Sequence, residues 1–368
     1  MNEELLHRIA LTMVPELGPV LARQLINRFG TARTVFKSTR TALAQTEGIG
    51  EFRAAQIKQF RDFAAAEKEM CTVASAGITV LFISDDAYPH RLRQCYDAPL
   101  LLYYKGSVAL NQSRIISIVG TRRQSSYGKQ VTEQLITALA PYEVMIISGL
   151  ALGIDATAHR QALQSGLPTI AVLAHGLNNI YPDQHRSLAA QIATQGGLLT
   201  ELNWQEKPDR HHFPKRNRIV AGMADATLVM ETEPRGGSMI TADLAFQYNR
   251  DLFALPGRIT DLKSSGCLQL IRDQKAVPLI DAAQLADSLG WNQPKTVTTP
   301  ATQRHLFPEL SAEEISIINL LATRGTATVD ELYLASGLSN SRAAATLLSL
   351  EMQQLVRQLP GKQYQLIN

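Results

Sequence analysis

From residue 115 onward the chain alternates short apolar runs with longer stretches in which apolar positions recur every three or four residues. The runs IISIVG (115–120), VMIISG (144–149), TIAVLAHG (169–176), GLLTEL (197–202), ATLVMETE (226–233), DLFALP (251–256) and AVPLI (276–280) are too short for helices. Their near-continuous apolar character suits strands buried on both faces of a parallel sheet. Between them, GKQVTEQLITALAPY (128–142) sets Val131, Leu135, Ile136 and Leu139 at helical spacing. IDATAHRQALQSG (154–166) and residues 181–196 read as further helices. This alternation predicts an α/β domain built on a Rossmann-like, doubly wound parallel sheet. Two earlier runs, ITVLFI (78–83) and PLLLYYKG (99–106), predict strands in a bridge that leads into it.

In such a sheet, ligands bind beyond the carboxyl ends of the strands, where strand order reverses. Five loops therefore matter: 121–127, 150–153, 177–181, 203–215 and 234–238. The first begins at Gly120 and opens a helix at Gly128. It is not a P-loop, because seven residues separate the glycines and Lys129 is followed by Gln130. It also lacks the middle glycine of a dinucleotide fingerprint. What remains is Arg122, Arg123, Ser125, Ser126 and Tyr127, a set that suits a phosphodiester chain as well as a nucleotide. A plain strand-to-helix turn with solvated arginines has the same composition.

The fourth loop lies in WQEKPDRHHFPKRNR (204–218), which places Lys207, Arg210, Lys215, Arg216 and Arg218 against only Glu206 and Asp209. Phe213 sits among them. Guanidinium groups that track a backbone beside a ring that stacks on an exposed base suit single-stranded nucleic acid. The alternative has Phe213 in the core and the charges in water. In the fifth loop, Gly236 and Gly237 let the backbone approach an anion, and Ser238 can cap the following helix or bind phosphate. Asp155, His159, Glu231 and Asp243 are acid/base candidates, but no spacing makes them a triad or a metal set; caps and core hydrogen bonds are the simpler roles.

The flanks read differently. Residues 1–70 predict short helices, with helix-hairpin-helix turns at 14–30 and 46–60; Gly48-Ile49-Gly50 fits that turn better than Gly18-Pro19, where proline removes an amide. In the bridge, Tyr88, Tyr96, Tyr103 and Tyr104 could stack on bases or pack in the core. Residues 291–308 hold three prolines and read as a linker. Residues 309–368 give helix, helix, a turn at Gly337, helix and β-ribbon, the winged-helix order, with a capping box at Ser311 and Glu314. The third helix offers only Arg342 as a cation, thin for reading a major groove; protein contact or weak DNA contact fits as well.

Composition sets limits on these readings. With 368 residues the chain divides into domains at 1–70, 71–290 and 309–368. A net charge of +3 means that any nucleic-acid site must arise from local clustering. Cys71, Cys95 and Cys267 lack metal spacing and predict reduced, packed thiols of a cytoplasmic protein. No apolar run approaches the roughly 18 residues of a membrane span. No cofactor or metal is expected.

Taken together, these motifs resemble the DNA-processing protein A family, also called DprA or Smf. The residues that carry the resemblance are IVGTRR (118–123), SGLALGIDATAH (148–159), IYPDQHR (180–186), HFPKRNRIVAG (212–222), GGSMITADLA (236–245), LFALPG (252–257) and SSGCLQLI (264–271). The resemblance implies a non-enzymatic protein that binds single-stranded DNA, protects incoming strands in natural transformation and loads RecA. It also implies a homodimer formed through the Rossmann-like domain. Gly120, Thr121 and Arg122 fall on the family's G-S-R phosphate loop, Arg210 falls where Lys is frequent, and Arg216, Asn217 and Arg218 match its R-N-R run. Leu152 departs, since the family commonly has Arg there. The expected DNA contacts are Gly120, Thr121, Arg122, Arg123, Ser148, Gly149, Arg186, Arg210, Phe213, Lys215, Arg216, Asn217, Arg218, Gly236, Gly237 and Ser238. A rival from another class is a Rossmann-like nucleoside-monophosphate hydrolase. PRGGSMIT (234–241) lacks that family's P-G-G-x-G-T and a convincing Arg/Glu pair. A winged-helix transcription factor with a ligand-sensing domain would need a sequence-specific duplex footprint.

Overall fold

The computed structural model describes residues 3–291, 311–353, 355–359 and 363–366. The chain forms two compact units, Met1–Thr296 and Val297–Asn368. The first opens with six helices, α1 (Glu3–Met13), α2 (Pro19–Phe29), α3 (Ala32–Lys37), α4 (Arg40–Ala44), α5 (Gly50–Gln59) and α6 (Phe63–Ser75). Side chains start several of them: Thr31, Thr39 and Asp62 each accept a backbone N–H of the following turn. The expected hairpin turn is present, with φ of 76° at Gly48 and 61° at Gly50. Arg53 binds the carbonyls of Glu16 and Gly48 and so ties the two hairpin turns together. Helix α6 continues past residue 70, and apolar residues of these helices share one cluster with the sheet.

The sheet then builds as β1 (Thr79–Phe82), α7 (His90–Arg93), β2 (Leu101–Gly106), β3 (Ile115–Val119), α8 (Ser126–Leu139), β4 (Met145–Ser148), α9 (Ile154–Gln164), β5 (Thr169–Val172) and α10 (Arg186–Gln195). It continues with β6 (Gly197–Thr200), α11 (His212–Met223), β7 (Ala226–Val229), α12 (Gly237–Gln247), β8 (Asp251–Ala254), α13 (Ser265–Arg272), β9 (Val277–Pro278) and α14 (Ala282–Ser288). Strand order is β1-β2-β6-β5-β4-β3-β7-β8-β9. The run from β6 to β9 is parallel, and the β1–β2 pair joins antiparallel at the β6 edge. The chain steps outward from β3 to β6 and returns to β7 beside β3, so the reversal of strand order falls between β3 and β7. A buried hydroxyl pair, Ser117 Oγ to Thr227 Oγ1 at 2.7 Å, joins these two strands.

Both faces of the sheet are covered, as the uniform apolar runs predicted. Ile116 and Ile118 face a cluster with α8 and α14, while Ile115 and Val119 face the opposite one with α10, α11 and α12. Tyr88, Tyr103 and Tyr104 are core residues, and Tyr96 is exposed against Tyr248. All three cysteines are free; Cys95 and Cys267 are buried, but Cys71 is exposed rather than packed. The linker expected at 291–308 lies outside the described residues, except for Trp291, whose ring is buried in the first unit. No helix among the described residues is long and apolar enough to cross a membrane.

The second unit is a winged helix: α15 (Ala312–Arg324), β10 (Thr326–Thr328), α16 (Val329–Ser336), α17 (Asn340–Met352), β11 (Val356–Leu359) and β12 (Gln363–Leu366). Its strands are ordered β10-β12-β11. The Ser311–Glu314 capping box is present, a second forms at Thr328–Glu331, and Gly337 ends α16 in the left-handed region. Arg342 is paired with Glu313 at 3.3 Å.

At the opposite end of the sheet from the strand carboxyl termini, Asp225 accepts both Nε and Nη2 of Arg91, at 2.5 and 3.0 Å, and the amide of Ile115 at 2.9 Å. One carboxylate thus joins the bridge segment to the start of β3. Asp225→Ala is expected to lower stability by about 1.5–3 kcal/mol, seen as a lower thermal midpoint, while leaving ligand affinity at the far end of the sheet unchanged.

Candidate nucleic-acid interface

A cavity of about 830 Å³ opens at the strand carboxyl ends around the β3/β7 reversal, and all five predicted loops contribute to its wall. Its base is tightly packed. Thr121 donates its amide to Glu231 O at 2.7 Å, and Ile154 donates to Thr121 O at 3.3 Å. Gly153, with φ of 76°, lies so close that a Cβ there would sit 2.3 Å from Thr121 O. Glu231 is buried, and its carboxylate accepts the Ser125 amide at 2.8 Å as well as the Ser125 hydroxyl. Ser125 Oγ in turn accepts Gly128 N, which fixes the start of α8. This framework leaves Arg122 and Arg123 exposed at the rim.

Arg216 forms the floor. Its side chain is buried and donates to the carbonyls of Gly149 and Val172, the ends of β4 and β5. A side chain at 149 would collide with it, since a Cβ would lie 2.5 Å from the guanidinium. Burial pulls the Arg216 pKa down to about 10; Asp155 opposes that shift, and Arg122 adds to it. The group therefore stays charged at neutral pH. Burial raises the Asp155 pKa, with Arg216 opposing, and the carboxylate accepts the Gly149 and Ala151 amides at 3.1 and 3.3 Å. Arg122, Arg123, Arg210, Arg216 and Arg235 line the cavity against Asp155, Asp209 and Glu233. The balance favours an anion.

Two further features point the same way. Helix α12 begins at Gly237 after Gly236, which offers no side-chain cap, and residues 236–238 line the cavity, so the uncapped start of the helix lies at its wall. Ser238 is buried and donates to Thr232 Oγ1 at 2.7 Å, so its hydroxyl is already engaged. Phe213 is half-buried in the wall, with the Arg122 guanidinium carbon 5.5 Å from its ring centroid. Arg122, Arg210 and Phe213 thus meet in one cavity although the sequence separates them widely. Arg210 hangs from a segment held from below: Glu69 of α6 accepts the Trp204 amide at 2.6 Å, and Gly176 donates to Glu206 O at 2.9 Å.

Of the expected contacts, Gly120, Thr121, Arg122, Arg123, Gly149, Arg210, Phe213, Arg216, Asn217, Gly236, Gly237 and Ser238 line the cavity. Ser148, Arg186, Lys215 and Arg218 do not. Ser148 is buried and donates to Ile118 O at 2.6 Å. Arg186 is exposed at the start of α10 and pairs with Asp183 at 2.8 Å. The basic stretch is a loop only as far as His211; from His212 it is α11, which turns successive side chains to different sides. Hence Arg216 points into the floor, whereas Arg218 is buried against Glu201 and the Asp97 carbonyl. Lys215 stays in solvent.

The acid/base candidates all have structural partners. His159 is buried against Thr169 Oγ1 at 2.7 Å, and burial above all, then His185, drops its pKa to about 3. Asp243 pairs with Lys275 at 2.8 Å, and Glu231 and Asp155 hold backbone as described. Among the lining residues that went unassigned from sequence are Tyr181 and Arg235. An aromatic closing a strand-end loop, and a cation beside a glycine pair, were the available signals.

Residues 79–290 match the DNA recombination-mediator protein A family, and residues 300–362 match the DprA winged helix domain. The chain is 33% identical to Protein Smf of Synechocystis sp. over 99% of both proteins. The chain belongs to the DprA/Smf family. It is also 43% identical to DNA processing protein DprA of Streptococcus pneumoniae over 55% of this chain and 71% of that one. The X-ray structure of DprA from S. pneumoniae matches at TM-score 0.67 and 33% identity, covering 77% of this chain and 97% of that chain. The DprA structure from Helicobacter pylori, described for its single-stranded DNA binding mode, matches at TM-score 0.53 and 30% identity over 58% of this chain and 96% of that one.

Within this DprA/Smf chain, Arg216 and Arg218 stand two residues apart with different work. Arg218 neutralises Glu201, whose pKa burial raises and Arg218 lowers. Arg218→Ala strands a buried carboxylate and is expected to cost about 3–5 kcal/mol, a large drop in thermal midpoint. Arg122→Ala, at the exposed rim, should melt within a degree or two of wild type.

Proposed function

We propose that this chain binds single-stranded DNA in the cavity at the β3/β7 reversal, protects incoming strands during natural transformation and passes them to RecA. The convergence of Arg122, Arg210 and Phe213 beside the uncapped start of α12 carries this reading. Guanidinium groups and amides take phosphate oxygens, and neither reads sequence. An aromatic recessed in a cavity wall reaches a base only when that base is unpaired and free to turn inward. Family membership supports the RecA role, a homodimer formed through the Rossmann-like domain and a cytoplasmic setting. Binding and positioning are the whole of the chemistry proposed, with no cofactor. Glu231, on which a nucleoside-monophosphate hydrolase would depend, is bound to Ser125 beneath the loop. With Arg342 paired to Glu313, the winged helix serves protein contact or weak DNA contact.

Fluorescence anisotropy with labelled oligothymidine and a matched duplex tests the selectivity. Tight binding of the single strand is expected, with log affinity falling against log salt by about 0.7 per phosphate contacted. Equal affinity for the duplex, or turnover of a nucleoside monophosphate, would overturn the reading.

The same titration separates the roles of the wall. Arg122→Ala and Arg210→Ala should each weaken binding across sequences and shrink the salt slope by somewhat under one. Phe213→Ala should weaken it by about 1–3 kcal/mol with the slope nearly unchanged. A Phe213→Ala variant that binds normally but melts far lower would assign the ring to the core.

A further inference from the structure

The aromatic wall of the cavity contains a second ring. Tyr181 lines the cavity at the end of the loop after β5 and is 49% exposed, and its hydroxyl makes no hydrogen bond among the described residues. Its ring centroid lies 6.0 Å from that of Phe213, with the planes tilted by 59°. At that separation and tilt the rings already touch each other, so no base fits between them. Phe213 is the less available of the two. It is half-buried, Tyr181 lies against it, and the Arg122 guanidinium occupies the space over its ring at 5.5 Å. Tyr181 keeps about half its surface in the open.

The backbone beneath Tyr181 is held by a buried imidazole. The Tyr181 amide donates to His175 Nε2 at 3.1 Å. That nitrogen must then be the bare one, so Nδ1 carries the hydrogen and donates to Gly176 O at 2.9 Å. Burial pushes the His175 pKa down, which keeps this neutral form at pH 7. Gly176 also abuts the segment that leads to Arg210: a Cβ there would lie 2.1 Å from Asn203 O, and its amide holds Glu206 O. His175 and Gly176 together set the distance between the Tyr181 wall and the Arg210 wall.

We propose that Tyr181 is a second base-stacking surface of the cavity, more open than Phe213 beside it, with His175 acting as the residue that positions its backbone. The proposal rests on the single-strand reading above and names a second face that takes a base. A ring is chosen here over a hydrogen-bonding group because stacking accepts any base, in keeping with a site whose other contacts go to phosphate. The hydroxyl has no partner among the described residues, so phenylalanine should serve as well as tyrosine.

The test compares oligothymidine with an oligomer of equal length and charge in which the bases are replaced by abasic sites. Wild type should bind the base-bearing strand more tightly than the abasic one. Tyr181→Ala should reduce that preference by roughly 5- to 150-fold, Tyr181→Phe should keep it, and the salt slope should be the same for all three. A thermal midpoint near that of wild type is expected for Tyr181→Ala, since the side chain is half exposed. If Tyr181→Ala keeps the full preference, or weakens both oligomers equally, the stacking assignment is overturned while the single-strand reading stands. If wild type binds neither oligomer, the single-strand reading falls, and this assignment with it.

Discussion

The site depends on one buried cation. Arg216 spans the ends of β4 and β5, donating to both terminal carbonyls from a position that only a glycine at 149 leaves open. Parallel strands end with carbonyl oxygens pointing the same way, and in a closed protein those oxygens would need water or a donor. Here a guanidinium provides it. Burial lowers the Arg216 pKa to about 10 and Asp155 opposes that shift, so the guanidinium stays charged at the bottom of the cavity. The rim arginines add to that charge.

The backbone framework follows from a different group. Glu231 stands at the end of β7, where the sheet order reverses, and its carboxylate receives the first turn of α8 from the end of β3. Beyond their backbone hydrogen bonds, the two strands flanking the reversal are thus joined by hydroxyls within the sheet and by a carboxylate above it. A carboxylate used in this way has a structural task. Position in the fold alone would have suggested a catalytic one, since strand ends at a reversal are where such groups often act.

Much of this was legible in the sequence. The seven apolar runs became seven strands of the sheet, and the loops after the first five became the cavity wall, because uniform apolar character reports burial on both faces and parallel order follows from the intervening helices. Residue-level assignments were weaker where a segment changed its local structure. The run 204–218 looked like one basic loop, but α11 begins inside it, and a helical step of two residues sends Arg216 and Arg218 to different surroundings. Charge density carries no sign of that. Tyr181 went unassigned because nothing in IYPDQHR shows a ring turned toward Phe213, more than thirty residues downstream; only the tertiary contact does.

The hydrogen bond from the Trp204 amide to Glu69 has an implication for modularity. The sequence sets residues 1–70 apart as a helical domain of their own, yet the last of the first six helices supplies the carboxylate that holds the root of the Arg210 segment. These helices and the cavity are therefore not independent parts. Shortening the chain from its amino end beyond α5 would remove scaffolding from the ligand cavity itself. A chain with a different helical cap would need a new anchor for residue 204 to keep the Arg210 segment in place.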